Sequence, residues 1–250
     1  MRRKVTLSEV AESAGVSVQT VSNVVNNKPV VSEETRQLVL AHLNECGYRG
    51  NAVARSLKTN KSRLIGLVVP SMTNSMYAEV AETIVHEAER RGYTVMMAVT
   101  MRDAKTELEL ANTIVDHNVA GVLMSSSDPD AQASKMVLNV GVPYVELLNR
   151  TGEVGCDVFE ADNRRGAQDA VAHLIALGHR RIAHICGLPN STGTRRREGY
   201  EKALGKAGLN IEDDLMISGE YTRQGGRHAC ETLLDSGHAF TAVFCASDLM

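Results

Sequence analysis

No run of some 18 uncharged apolar residues occurs anywhere in the chain, so nothing in it reads as a membrane-spanning helix. The basic start, Met1 to Lys4, is followed by Val5-Thr6-Leu7-Ser8-Glu9 rather than by an apolar stretch, so export is not expected. The five cysteines, Cys46, Cys156, Cys186, Cys230 and Cys245, are odd in number, widely spaced and without a Cys-x-x-Cys pair. They form no disulfide framework and read as small buried hydrophobes in a reducing cytoplasm, the expected location. No Gly-x-Gly-x-x-Gly follows a strand, and there is neither a phosphate-binding Gly-x-x-x-x-Gly-Lys-Ser/Thr loop nor a Gly-x-Ser-x-Gly elbow. Asp103, Asp128, Asp162 and Asp248 are available carboxylates, but no two are spaced as an acid/base couple. The eight histidines lack metal-ligand spacing; His173, His179 and His184 come nearest, and His179 suits a turn before a strand. The expectation is a protein with no catalytic residues, no metal and no cofactor.

What is present divides into two parts. With 250 residues the chain accommodates a small domain joined to a larger one. Its net charge of −3 conceals an asymmetry: residues 1–63 hold 10 Lys/Arg against 5 Asp/Glu, leaving the remainder acidic. A polyanion is the natural partner of such a segment, and a solvated basic tail is the plainer alternative.

Three short helices are predicted in the basic part, each from a local start signal. Thr6 with Glu9 has the capping-box spacing; Ser17 precedes Val18 to Val25 as an N-cap; Ser32 precedes Glu33 and Glu34, with a helix running to about Cys46 and stopping at Gly47. From Arg63 onward the rhythm changes. Apolar strand-like runs (Leu64 to Val69, Tyr93 to Val99, Gly121 to Met124, Tyr144 to Leu148, Arg181 to Cys186, Ala242 to Cys245) alternate with helical stretches near 77–91, 104–117, 130–140, 163–177, 194–207 and 222–236. That is the pattern of βαβ units around a parallel sheet covered on both faces. Residues 47–62, with Gly, Asn and basic side chains, read as a linker.

Ala11, Gly15 and Val21 fall at helix-turn-helix offsets: a small residue where the second helix crosses the first, a glycine for a turn with positive φ, and an apolar residue packing the second helix back. The run Thr6 to Ser22 (TLSEVAESAGVSVQTVS), with Val31 to Arg36, Gly47-Tyr48, Asn51 to Lys58 and Ile65 to Pro70, resembles the LacI/GalR family of bacterial repressors, and the likeness covers essentially the whole chain. The resemblance implies a helix-turn-helix DNA-binding headpiece at 1–50, a hinge helix and linker at 51–61, and an effector-binding and dimerisation core at 62–250. The core would be α/β, two-lobed and like periplasmic binding proteins, with a first lobe at about 62–148 and a partial second lobe at about 149–250. Family cores continue past the position of Met250, so the second lobe is expected to be incomplete.

The second helix of such a headpiece lies in the major groove. Val18, Gln19 and Asn23 are therefore the candidates for reading bases, with the two amides suited to adenine and Val18 to a thymine methyl. Many members of the family the chain resembles carry Arg where Asn23 stands, which suggests a changed operator preference, or a weaker contact if the shorter Asn does not reach. Thr6, Ser17, Thr20, Ser22 and Asn26 are cast as backbone contacts that position without specifying. In the hinge, which begins at the DNA-binding candidate Asn51, Leu57 would wedge into the minor groove, lined by Ala54, Arg55 and Lys58; the plainer alternative is that Leu57 anchors the linker. The effector candidates implied by the resemblance are Met76, Tyr77 and Ser125 in the first lobe, and Asn190, Thr192, Arg196, Tyr221, Ser247 and Asp248 in the second. Small hydroxyls such as those of Ser125 and Ser126 suit a polyol. Tyr77 and Tyr221 have ordinary readings as core aromatics, and Arg195 to Arg197 as a solvated face. The partners expected are operator DNA, a sugar-like effector and a second copy of the chain. A transport binding protein would explain the core but not the headpiece, and an α/β enzyme would need a reactive motif the sequence lacks.

Overall fold

The computed structural model describes residues 5–48, 62–152 and 155–250. The chain forms two compact units, Met1–Lys61 and Ser62–Met250.

In the first unit, α1 (Leu7–Ala14), α2 (Val18–Val25) and α3 (Glu33–Glu45) begin where their caps do. Thr6 Oγ1 accepts from the Glu9 amide, and Glu9 Oε2 accepts from the Thr6 amide at 2.8 Å, closing the expected capping box. Gly15 takes φ 67° as the C-cap of α1; a Cβ there would meet nothing within 4 Å, so the backbone conformation alone calls for glycine. Helices of eight residues are not stable in isolation. Packing holds them: Val10, Ala11, Ala14, Val21, Val24, Val39 and Leu43 form one buried cluster. Arg36 ties the α2–α3 loop to it, donating to Asn27 Oδ1 at 2.9 Å and to the Lys28 carbonyl at 2.7 Å.

The second unit is built from two parallel sheets. The first contains β1 (Leu64–Val69), β2 (Thr94–Val99), β3 (Gly121–Met124), β4 (Tyr144–Leu147) and β5 (Asp157–Phe159), in the order β2-β1-β3-β4-β5. Helices α4 (Ser75–Arg90), α5 (Ala104–Asp116) and α6 (Gln132–Val140) make the crossovers between β1 and β4. The other sheet, β6 (Ile182–Cys186), β7 (Met216–Ser218) and β8 (Ala242–Cys245), is ordered β7-β6-β8 and served by α7 (Asn163–Ala176), α8 (Ser191–Lys206) and α9 (Arg223–Asp235). This lobe repeats the winding of the first: β1 and β6 are flanked on one side by the next strand and on the other by the one after it. The repetition extends to single hydrogen bonds. The Thr100 amide donates to Val69 at 3.0 Å as Gly219 does to Cys186 at 2.9 Å, and Ser125 donates to Val68 as Ala246 does to Ile185, both at 2.9 Å.

Two three-residue strands, β5 and β7, are absent from the sequence expectation. β5 pairs in parallel with β4 through Val145–Asp157 to Leu147–Phe159, so the first sheet extends to Phe159 and the lobe boundary expected near 148 lies later in the chain. Helices α4 and α8 start earlier than their periodicity suggests, because the Asn74 and Asn190 side chains cap them. His184, one of the three histidines near enough to compare, is buried against the rings of Tyr200 and Phe244, each 4.9 Å away, and its Nδ1–H donates to the Phe244 carbonyl. Among the described residues no group of His, Cys, Asp and Glu is arranged to hold a metal, and no helix is long and apolar enough to cross a membrane.

Candidate DNA-contacting helix and effector cavity

Helix α2 presents Val18, 46% exposed, and Gln19 on its outer face, with Asn23 half-buried one turn on. The two amides meet: Gln19 Nε2 donates to Asn23 Oδ1 at 3.0 Å. The helix sequence VQTVSNVV contains no acidic side chain. The hydroxyls and amide nearby serve the helix ends first. Ser17 Oγ accepts from the Thr20 amide at 3.0 Å and lies 2.8 Å from Thr20 Oγ1, while Asn26 Nδ2 donates to the Ser22 carbonyl at 2.7 Å. Thr6 belongs to the α1 capping box and is exposed. The hinge candidates Asn51, Ala54, Arg55, Leu57 and Lys58 lie outside the described residues.

In the second unit the carboxyl ends of the strands open on a cavity of about 620 Å³, walled by both lobes. Parallel α/β architecture gathers loops and helix starts at that edge. Met76 and Tyr77 line it from the first turn of α4, Asn190, Thr192 and Arg196 from the start of α8, and Tyr221, Ser247 and Asp248 from the turns after β7 and β8. Tyr77 also packs in the core cluster with Leu67, Val69 and Ala81, so its core reading and its lining reading hold together.

Ser125 does not line the cavity. It is 1% exposed, with its Oγ unpartnered beneath the surface, and Ser127 takes the lining position two residues on. Ser126 is directed inward as well, its Oγ donating to Glu107 Oε1, while the Ser127 amide donates to Glu107 Oε2 at 3.1 Å. Burial pushes the Glu107 carboxyl above its usual range, with the Ser126 and Ser127 bonds opposing the rise. Thr192 faces the cavity, yet its hydroxyl bridges the lobes, lying 2.9 Å from the Leu148 carbonyl and 2.7 Å from Asn149 Oδ1.

Arg196 is held in place rather than solvated. Its Nε donates to Asn163 Oδ1 at 2.8 Å and its Nη1 to the Ala246 carbonyl, which fixes the guanidinium across the wall made by α7, α8 and β8. Its neighbours differ: Arg195 pairs with Glu160 at 3.2 Å and Arg197 with Glu201 at 2.7 Å. Tyr221 is 9% exposed and its hydroxyl has no hydrogen-bond partner; the Ser247 hydroxyl is likewise buried and unpartnered. The Tyr221 ring lies against Gly187, where a Cβ would overlap it. Sequence reasoning missed Asn74, Arg102, Ser127, Asn149, Asn163 and Arg223, all of which line the cavity. The first four lie in loops just after strands β1, β2, β3 and β4, so the position of the loops was the available signal.

A helix-turn-helix unit joined to a two-lobed core with an interlobe cavity defines a DNA-binding regulator of the ligand-responsive class. Residues 6–51 match the family model described as bacterial regulatory proteins, lacI family, and residues 62–250 match the model of periplasmic binding proteins and the sugar-binding domain of the LacI family. The chain belongs to the LacI family, whose members here are transcriptional regulators and not enzymes. It is 31% identical to the HTH-type transcriptional regulator DegA of Bacillus subtilis, covering 99% of this chain and 74% of that protein. It is 33% identical to catabolite control protein A of Priestia megaterium, covering 98% and 75%. Among solved structures, the lac repressor dimer bound to operator and the anti-inducer ONPF superposes with a TM-score of 0.87 at 28% identity, over 99% of this chain and 75% of that one. The chain thus spans about three quarters of the length of these relatives.

Proposed function

We propose that the protein binds a palindromic operator as a homodimer and represses transcription, and that a small sugar-like effector in the interlobe cavity sets its affinity for DNA. Val18, Gln19 and Asn23 read bases in the major groove, while Thr6, Ser17, Thr20, Ser22 and Asn26 position the headpiece on phosphates. Two headpieces are needed because one recognition helix makes too few base contacts for the usual specific affinity. Residues Asn51, Ala54, Arg55, Leu57 and Lys58 contact the minor groove at the centre of the site.

The observation that carries the effector half of this reading is the cavity, of ligand size and walled by both lobes, among whose lining residues Tyr221 and Ser247 have buried, unpartnered hydroxyls. Buried polar groups without partners are costly, and a polyol supplies partners. Met76, Tyr77, Asn190, Arg196, Tyr221, Ser247 and Asp248 are assigned to the effector, Ser127 takes the role expected of Ser125, and Thr192 acts by joining the lobes. Related structures support a carbohydrate: the regulator CelR, 32% identical with a TM-score of 0.67 over 98% of this chain and 75% of that one, is described as a cellobiose complex. The test is to titrate sugars into the protein–operator complex. A sugar that changes operator affinity in the protein but not in Arg196→Ala supports the reading, and a response that survives Arg196→Ala places the effector elsewhere.

A further inference from the structure

The cavity is electropositive. Arg102, Arg196 and Arg223 line it against two carboxylates, Asp162 and Asp248, and the Asp162 carboxylate already accepts from the Arg165 amide as the N-cap of α7. Lining residues also come from the starts of α4, α7, α8 and α9, whose dipoles add positive character to the space, although each N-cap side chain already accepts from one first-turn amide.

Arg102 and Tyr221 occupy equivalent places in the two lobes, in the turn from β2 to α5 and in the turn from β7 to α9. Each is the second of two adjacent non-glycine residues with left-handed backbone: Met101 and Arg102 at φ 55° and 62°, Glu220 and Tyr221 at φ 57° and 56°. Strain of this kind concentrates where a side chain must be delivered to a ligand. Arg196 has two bonds to the protein, but Arg102 has no hydrogen bond or ion pair among the described residues. Arg102, Arg196, Tyr77 and Tyr221 all line the one cavity. A neutral polyol calls for donors and acceptors in balance; a guanidinium without a partner offers donors alone.

We propose that the effector is an acidic sugar, a carboxylate or phosphate on a polyol frame, with its acid group held by Arg102 beside Tyr221 and its hydroxyls directed to Asp248 and Asn190. The proposal rests on the cavity being the effector site. A bidentate guanidinium contact to such a group is stronger than a contact to a neutral hydroxyl.

The test uses isothermal titration of the protein with glucose, galactose, mannose and ribose, each offered as neutral sugar, aldonate and terminal phosphate, with inorganic phosphate alone as a control. In at least one series the acidic member is expected to bind about tenfold or more tightly than the neutral one. Arg102→Gln should remove that preference, and Arg102→Lys should restore part of it. Comparison of aldonate with phosphate identifies which acid group is taken. Neutral sugars that bind as tightly as their acids, or an acid preference that survives Arg102→Gln, would overturn the proposal and leave the effector reading standing. Absence of binding by every member of every series would overturn both.

Discussion

The two lobes share a winding but stabilise their cavity-facing loops by different chemistry. In the first, buried carboxylates hold them: Glu107 accepts from Ser126 and Ser127, and Glu146 accepts from the amide and hydroxyl of Thr151. In the second, a donor does the equivalent job: Arg196 bonds Asn163 and the Ala246 carbonyl, while in the core of β6 His184 packs against the rings of Tyr200 and Phe244. One topology therefore brings the same loop edges to a ligand from both sides, while the buried charge beneath those edges is free to differ. The first lobe depends on acids that must be fully bonded in the dark of the core, and the second on a cation that reaches the cavity surface.

The sharpest way to break this contrast is Glu107→Ala. It leaves the Ser126 hydroxyl and Ser127 amide without their buried partner and opens a void at a residue 0% exposed, with an expected cost of about 2–5 kcal/mol by urea unfolding followed by circular dichroism. In the second lobe the comparable injury is steric. A Cβ at Gly199 would overlap the Arg164 carbonyl and stand 2.8 Å from Ala167 Cβ, so Gly199→Ala should separate α7 from α8 at about 1–3 kcal/mol.

Glu107 also makes the first lobe sensitive to pH. Because the folded-state value of Glu107 is raised above its ordinary 4.5, the folded protein holds the proton more tightly than the unfolded chain. That contribution is full below the ordinary value and is lost as pH rises through the raised one. Stability should accordingly fall over that interval, and Glu107→Gln should flatten the fall; an unchanged pH profile in the variant would remove Glu107 from this role. The smallest expected effect is Arg181→Ala. Its pair with Glu212 in the second lobe is well formed at 2.5 Å but about 40% and 35% exposed, and its loss should cost under about 1 kcal/mol in the same unfolding assay.

How much of this was legible in the sequence follows from the range of each interaction. The caps at Thr6, Ser17 and Ser32 are set by residues three apart, and all three helices begin where their spacing indicates. Strands β5 and β7 are three residues long and mostly exposed or half-buried, so they carry no apolar run to detect. Ser125 and Ser127 are two residues apart, a spacing that strand alternation would put on one face; what separates them is the loop after β3, where the Ser126 hydroxyl and the Ser127 amide bond Glu107, a contact across 19 residues that a resemblance to the loop does not reveal. Arg102 was invisible for a further reason. Its direction depends on two successive left-handed residues, and neither Met101 nor Arg102 is a residue type that announces such a turn.

The most direct test of the account is the affinity of the protein for DNA, measured by fluorescence anisotropy with a palindrome obtained by binding-site selection, at two salt concentrations, beside the same protein carrying Gln19→Ala. The account predicts tight binding of the palindrome, a steep loss of affinity with salt from released counterions, and a penalty of about 1–3 kcal/mol for Gln19→Ala on the selected site but not on an unrelated duplex. Equal affinity for the palindrome and for unrelated DNA, unaffected by Gln19→Ala, would contradict the assignment of α2 as the element that reads sequence.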